Sequence, residues 1–446
     1  MPSQRKLRQQ ENETTSLRLS HTKRGIIIAA CHITKISGGI MIARFERLTG
    51  LGLREQAPAW IVSLGHGATH WIAATFYLIL PFLTEEMNMS YTQAGVLVST
   101  FHVSSFLANF GSGMVVDVLG RRVLVQTVAL LLGAAALMAF GTAGGLAVLI
   151  GLVVIIGGTN NLWHPAAISF LSGLYPKNRG YVLSIHTLGA SLGDSLAPIC
   201  VGALLAVLSW RDTALWGSVP VLVVAVLILI SIARMDKDAD GQVSKKISVG
   251  DYFSGLKDMF TDKAAMGLCL MAGFRSMTQN GLLMFIPIYL ANVLKVGPFM
   301  TGVGMFAMQF GGLFAGPIAG AWSDRIGRRP IVLGAATGTT IVVTFLAVAQ
   351  SEYLFIAGVS VLGFVLFAIR PVIHSWMMDL TPPSMHGSAT SALFGIQSAL
   401  SLIIPLLGGW VADLYGVGAV FYLLAATMLT ANVLVAMLPN AERIEE

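Results

Sequence analysis

Charge is what this chain has little of. Only 11% of its 446 residues are Asp, Glu, Lys or Arg, and the mean hydropathy is +0.75. A water-soluble globular chain carries about 25% charged residues, which excludes a soluble fold for the bulk of the sequence. Cysteine is scarce as well. Cys31, Cys200 and Cys269 show neither metal-ligand spacing nor a disulfide framework, and those inside apolar stretches read as small hydrophobes. No Gly-x-x-x-x-Gly-Lys-[Ser/Thr] loop is present, so drive by a bound nucleotide is not expected. Nucleophile elbows and kinase-type sets are missing too, and the tails and linker hold no folded soluble domain. The chain therefore reads as no enzyme, with no cofactor and no nucleic-acid partner.

What is abundant is apolar sequence. A membrane-crossing helix needs about 20 mostly apolar residues. Twelve such stretches fall at 60–82, 91–114, 123–142, 146–172, 181–208, 213–233, 264–291, 299–321, 331–350, 352–378, 388–412 and 416–438. The expected class is an all-α membrane protein whose main partner is the lipid bilayer.

The sequence also repeats. Gly113-Met-Val-Val-Asp117-Val-Leu-Gly120-Arg121-Arg122 returns as Gly320-Ala-Trp-Ser-Asp324-Arg325-Ile-Gly327-Arg328-Arg329, each matched position 207 residues on. Pro81 and Pro287 stand 206 apart, as do Pro165 and Pro371, while Pro198 and Pro405 stand 207 apart. Offsets this constant describe a duplicated six-span bundle, with two parallel halves around an axis normal to the membrane and a solute path between them. The expected divisions are a tail 1–58, a half 59–234, a linker 235–262, a half 263–438 and a tail 439–446.

Basic residues set the orientation. Residues 1–58 hold 10 of the 28 basic and 4 of the 22 acidic side chains, which leaves 18 of each from residue 59 onward. Beyond the tail, 14 Lys/Arg fall on the side shared by the termini and only Arg211 and Lys295 on the other. Positive residues stay inside, so both termini are expected in the cytoplasm, with the protein in the plasma (inner) membrane. Residues 25–43 are apolar but interrupted by His32 and Lys35. They are compatible with an interfacial helix, a start site called upstream of Met41, or a thirteenth span. Asp236, Asp238 and Asp240 resemble the opening of a calcium loop, but Ile247 stands where the closing Glu belongs, so they read as solvated linker.

The repeated Gly-x-x-x-Asp-x-x-Gly-Arg-Arg turn resembles the signature of the major facilitator superfamily, over residues 59–438. The second copy fits the pattern fully, whereas the first has Val118 where the family usually carries Arg or Lys. A narrower likeness, to the fosmidomycin-resistance-type branch, lies in Trp163-His164-Pro165, Arg179-Gly180, His186-Thr-Leu-Gly189-Ala-Ser-Leu-Gly193, Ala197-Pro198 and His66-x-x-x-His70. The resemblance implies a carrier that works as a monomer on a small-molecule substrate. It also implies a gating latch at Asp117, Gly120, Arg121 and Arg122, and at Asp324, Arg325, Gly327, Arg328 and Arg329. The plain alternative for these turns is a positive-inside anchor.

Charged and titratable residues inside spans are costly in lipid and mark cavities or pairs. Asp194, His186, His66 and His70 are the candidates for proton coupling, against plain interhelical hydrogen bonding. His66 and His70 have helical i, i+4 spacing, but no Glu stands between them and no thiolate is nearby in sequence, so no metal site is expected. Arg275, Arg370, His374, His164 and Asn161 are the candidates for substrate contact. Arginine offers paired donors to a carboxylate or phosphate, and the namesake drug of the resembled branch is a phosphonate. Pairing of Arg370 with Asp379 is geometrically poor, since nine residues carry one to the opposite side of a helix. The leading function is secondary transport of an anionic or amphiphilic solute, as proton-coupled efflux. The alternatives are import of an organic acid and a membrane sensor without transport.

Overall fold

A computed structural model describes residues 46, 49–236, 262–382 and 386–438. The segment 25–43, the linker acids Asp238 and Asp240, and the tail from 439 lie outside the described residues. The described part of the N-terminal segment, up to Pro58, is a unit of its own, in which the Gln56 amide donates to the Leu51 carbonyl at 3.0 Å.

The rest is helical, with no strand among the described residues. The helices are α1 (Ala57–Glu86), α2 (Tyr91–Leu119), α3 (Arg122–Phe140), α4 (Leu146–Leu174), α5 (Arg179–Leu205) and α6 (Trp210–Ile232), then α7 (Lys263–Ile288), α8 (Pro298–Ile326), α9 (Arg328–Val348), α10 (Glu352–Leu380), α11 (His386–Ser401), α12 (Ile403–Tyr415) and α13 (Val417–Met437). Among the described residues, ten spans are long and apolar enough to cross a membrane, α11 and α12 counting as one. The two that fall short, α2 and α7, carry polar residues such as His102, Ser105, Arg275 and Gln279, and both border the central cavity.

The eleventh span differs from its sequence expectation. It is broken at Leu402, three residues before Pro405, whose ring nitrogen cannot donate to the Ser401 carbonyl. At the break, the Leu402 carbonyl takes a hydrogen bond from Ser99 Oγ at 2.9 Å. A π-helical turn, Tyr289–Val293, likewise follows Pro287 at the end of α7. Cys269 is buried, and Cys200 lies on the outer surface of the spanning helix α5.

The halves meet mainly at two helix pairs, α2 against α12 and α5 against α8, and α2 also touches α11. Both main pairs are backbone-close. A Cβ on Gly202 would stand 2.9 Å from the Pro298 carbonyl oxygen, and one on Gly95 would stand 2.8 Å from the Pro405 carbonyl carbon. At the end bearing Ser90, the Asp413 carboxylate accepts from the Tyr91 and Thr92 backbone N–H groups at 2.8 and 2.9 Å and from the Thr92 hydroxyl at 2.5 Å. An acid from the C-terminal half thus caps the first turn of α2, where the helix dipole favours negative charge. Lys295 and Glu85, 3.8 Å apart, bridge the halves at the same end.

Candidate functional site

The site begins with a glycine crossing. α1 and α5 meet at Gly67, Gly189 and Gly193 with no side chain between their backbones. A Cβ on Gly193 would lie 2.8 Å from Gly67 Cα, and one on Gly189 would lie 2.7 Å from the Ser63 carbonyl carbon. This closeness brings His66 and His70 of α1 against His186 and Asp194 of α5. His70 Nδ1 lies 2.9 Å from Asp194 Oδ1. His66 Nδ1 lies 2.7 Å from the His186 carbonyl oxygen, which can only accept, so His66 carries its proton there. The His66 and His186 rings stack, centroids 3.9 Å apart and planes 15° apart, and Trp163 lies parallel to His186 at 5.5 Å.

α4 adds a third imidazole to the pair on α1. The His164 ring centroid is 5.0 Å from that of His66, and its Nδ1 lies 2.8 Å from the Asn160 carbonyl oxygen. His66 is buried, while His70 and His164 are half-buried. The four residues expected on proton grounds therefore share one cluster, joined by His164, which was expected at the substrate instead.

Beside this cluster lies a cavity of about 260 Å³ between the halves, bordered by α2, α4, α7, α10 and α11. Arg275 and Arg370 line it together with Asn161. Arg275 is buried. It donates through Nη2 to the Leu366 carbonyl at 3.0 Å, and its Nε has no partner among the described residues. Arg370 projects into the open space and makes no hydrogen bond or ion pair with a described residue. The two guanidiniums feel one another's charge, and Arg370 also feels Asp194 across the gap between the halves. The described acids of the C-terminal half, Asp262, Asp324, Glu352, Asp379 and Asp413, all stand at helix ends, away from the cavity.

His186, Asp194 and His374 do not line the cavity. His186 is held in its ring stack, and the His374 ring lies against Phe394 at 5.0 Å. Residues the sequence reading missed do line it: Asn160, Gln279, Asn280 and Gln397, with the Gln397 side-chain oxygen accepting from Ser276 Oγ at 3.0 Å. The run Thr278-Gln279-Asn280 inside an apolar span was the available signal.

The charged turns owe their shape to glycine. Gly120 (φ 61°) and Gly327 (φ 97°) occupy the left-handed region and end α2 and α8. Arg328 pairs with Asp324 on its own turn and with Asp379 of α10 at 2.8 Å, which explains why Asp379 is not a partner for Arg370. Arg329 donates to the Ala436 carbonyl, while Arg325 and Arg121 are exposed. Arg122 opens α3, and the Asp117 side chain lies outside the described residues. The start of α3 is capped by Asp236, whose two carboxylate oxygens each accept from Val123 N–H at 3.1 Å. Asp236 is therefore a structural cap and not the solvated linker residue that its sequence context suggests.

The profile of the Major Facilitator Superfamily matches residues 62–308 and 268–445. Among curated proteins, the multidrug efflux pump Tap of Mycolicibacterium fortuitum is 22% identical, over 82% of this chain and 91% of its own length. The fosmidomycin resistance protein of Escherichia coli is 20% identical over 85% and 92%. A probable 4-methylmuconolactone transporter of Cupriavidus pinatubonensis is 24% identical over 78% and 81%. Among solved structures, a bacterial homologue of the lysosomal transporter Spinster, inward-facing and unoccupied, superposes with a TM-score of 0.68 at 14% identity, covering 87% of this chain and 96% of that one. The nucleoside transporter NupG superposes at 0.73 with 10% identity, over 85% and 99%. With its two six-span halves, repeated charged turn and profile match across both halves, the chain belongs to the major facilitator superfamily and is a multi-pass integral membrane transporter.

Proposed function

We propose that this transporter exports a small organic anion by alternating access, as a monomer in the plasma membrane with both termini in the cytoplasm. One observation carries the reading: Arg275 and Arg370 enter a central cavity with no carboxylate of their own half beside them. Two guanidiniums that share one cavity repel one another. An anionic group relieves that repulsion and accepts paired N–H donors. The amides of Gln279, Asn280 and Asn161 supply neutral contacts for the rest of the solute.

The helix contacts support the rocking motion. The capping of α2 by Asp413 and the bridge from Lys295 to Glu85 seal the end bearing Ser90, while Arg328 keeps its partners within one half. Such contacts are made in one state and lost in the other, so they bias a two-state equilibrium. With no nucleotide loop in the sequence, the driving force is a gradient, and we take it to be that of protons. Export is favoured over import by the names of two relatives, an efflux pump and a resistance protein.

The test is solute flux in proteoliposomes with an imposed pH gradient and a panel of carboxylates and phosphonates. Arg370→Lys should raise the KM for the transported anion roughly tenfold or more, because an ammonium cannot reproduce the planar fork. Preference for cationic or neutral solutes, or flux indifferent to Arg370→Lys, would overturn the anion reading.

A further inference from the structure

The three imidazoles in the N-terminal half stand outside the lining of the anion cavity. We propose that His66, His70 and His164 bind one divalent transition-metal cation of the zinc class through their Nε2 atoms.

Three observations carry the inference. First, one ligand nitrogen from each ring lies within 4.8 Å of the others. Zinc–nitrogen bonds are about 2.0–2.1 Å long, which places tetrahedral ligand atoms roughly 3.4 Å apart. Metal binding then requires the rings to draw together by up to about 1.4 Å. Second, each Nδ1 already faces an oxygen: the His186 carbonyl for His66, the Asn160 carbonyl for His164 and the Asp194 carboxylate for His70. Carbonyl oxygens only accept, so the Nδ1 positions of His66 and His164 carry protons, which leaves lone pairs on Nε2. The Asp194–His70 pair gives the third ring the same polarity. Metal-bound histidines almost always show this outer hydrogen bond to a carbonyl or carboxylate, which fixes the ring and strengthens the ligand. Third, the rings stand on rigid elements. His66 and His70 are one turn apart on α1, and His164 precedes Pro165 on α4. A site on packed helices holds its geometry better than one on loops.

The pair on α1 alone is a weak sign, because the closing ligand lies 94 residues further on and only the fold brings it in. Imidazole ligands suit zinc, copper and nickel over magnesium or calcium. Arg370, whose charge reaches His164, opposes a cation, whereas the Asp194 carboxylate beside His70 offsets it. Three protein ligands leave a fourth position open to water or to an anionic oxygen.

The test uses the full-length protein in detergent, purified without a histidine tag, stripped with a chelator and titrated with Zn²⁺ against a chromophoric competitor. Co²⁺ is titrated in parallel and read by its visible absorption. The expected result is one cation per chain, with tetrahedral Co²⁺ bands. His66→Gln, His70→Gln and His164→Gln should each weaken binding by about tenfold or more, and Asp194→Asn by about 10–100-fold through the lost outer contact. His374→Gln should bind as the parent does. Zn²⁺ should raise the thermal unfolding midpoint of the parent, but not that of the His66→Gln/His164→Gln double variant. Comparing midpoints without metal separates a lost ligand from a damaged fold. Absence of stoichiometric binding, or unchanged affinity in the double variant, would overturn the site. Anion flux through the metal-stripped protein reads the transport proposal separately.

Discussion

Replacing Gly193 by Ala should destabilise the protein, although the same change in an open helix position should stabilise it. Alanine is favoured over glycine in a helix interior by about 0.8–1.0 kcal/mol. At Gly193 the added Cβ would stand 2.8 Å from Gly67 Cα, and closer still to the Gly67 carbonyl oxygen. Carbon atoms pack at about 3.5–4.0 Å, so α1 and α5 must separate by about 1 Å. Backbone atoms cannot swing aside as a side chain can. Overpacking of this kind costs about 1–3 kcal/mol, which leaves a net loss of up to about 2 kcal/mol after the propensity gain. The same displacement lengthens the 2.9 Å contact between His70 and Asp194 beyond hydrogen-bond range. Gly151 on α4 is the control, because a Cβ there meets nothing within 4 Å. Thermal unfolding in detergent should show Gly151→Ala at or above the parent and Gly193→Ala below it. Two variants that shift together would refute the claim that this crossing depends on missing side chains.

Two further outcomes are expected. Asp413→Ala removes a cap that joins the halves at the Ser90 end; with the carboxylate exposed, the loss is about 0.5–1 kcal/mol. The population open at that end should rise about two- to fivefold, read as longer distances between spin labels at positions 87 and 415, and an unchanged distribution would rule out a latch. Asp236→Ala should cost about 0.5–2 kcal/mol in stability through the uncapped start of α3, whereas a residue of a merely solvated linker would cost nothing measurable.

Much of the architecture is legible from the sequence because its cause is composition. Spans follow from apolar length, and the two halves follow from a charged turn that returns 207 residues later. The buried polar residues are legible as a set, since each is expensive in lipid. Their partners are not. His164 reads as a candidate for substrate contact beside Asn161, and only the packing of α4 against its neighbours places it beside His66. Asp236 stands in a run of linker acids, and nothing local separates it from Asp238. The difference lies in a helix start 113 residues earlier in the chain. The break at Leu402 is a proline effect that span-length reasoning passes over.

The repeat also explains why the two halves differ in chemistry. Pro165 and Pro371 are equivalent at an offset of 206, so His164 and Arg370, which precede them, occupy the same place in the two halves. The same offset relates Asn160 to Leu366. The Asn160 carbonyl accepts from His164 and the Leu366 carbonyl accepts from Arg275, so each proline-bearing helix offers a polar group of its half the same backbone oxygen. The crossings diverge. In the N-terminal half glycines stand on both helices, Gly67 on α1 and Gly189 and Gly193 on α5, and α1 carries His66 and His70 beside its own glycine. In the C-terminal half the glycine is Gly273 on α7, against Ile396 and Leu400 of α11. Aliphatic side chains there occupy the volume that backbone occupies on the other side, and Ala272 and Ser276 stand where α1 has His66 and His70. One backbone plan thus holds imidazoles in one half and guanidiniums in the other. A solute between them meets guanidinium donors from α7 and α10, whereas the imidazoles of α1 and α4 stand within their own half. Exchanging His164 for Arg should therefore carry cationic character into the N-terminal wall. Competing with Arg370 for the same anion, it should slow release more than it changes capture, and equal effects on both rates in single-turnover flux would argue against a one-sided site.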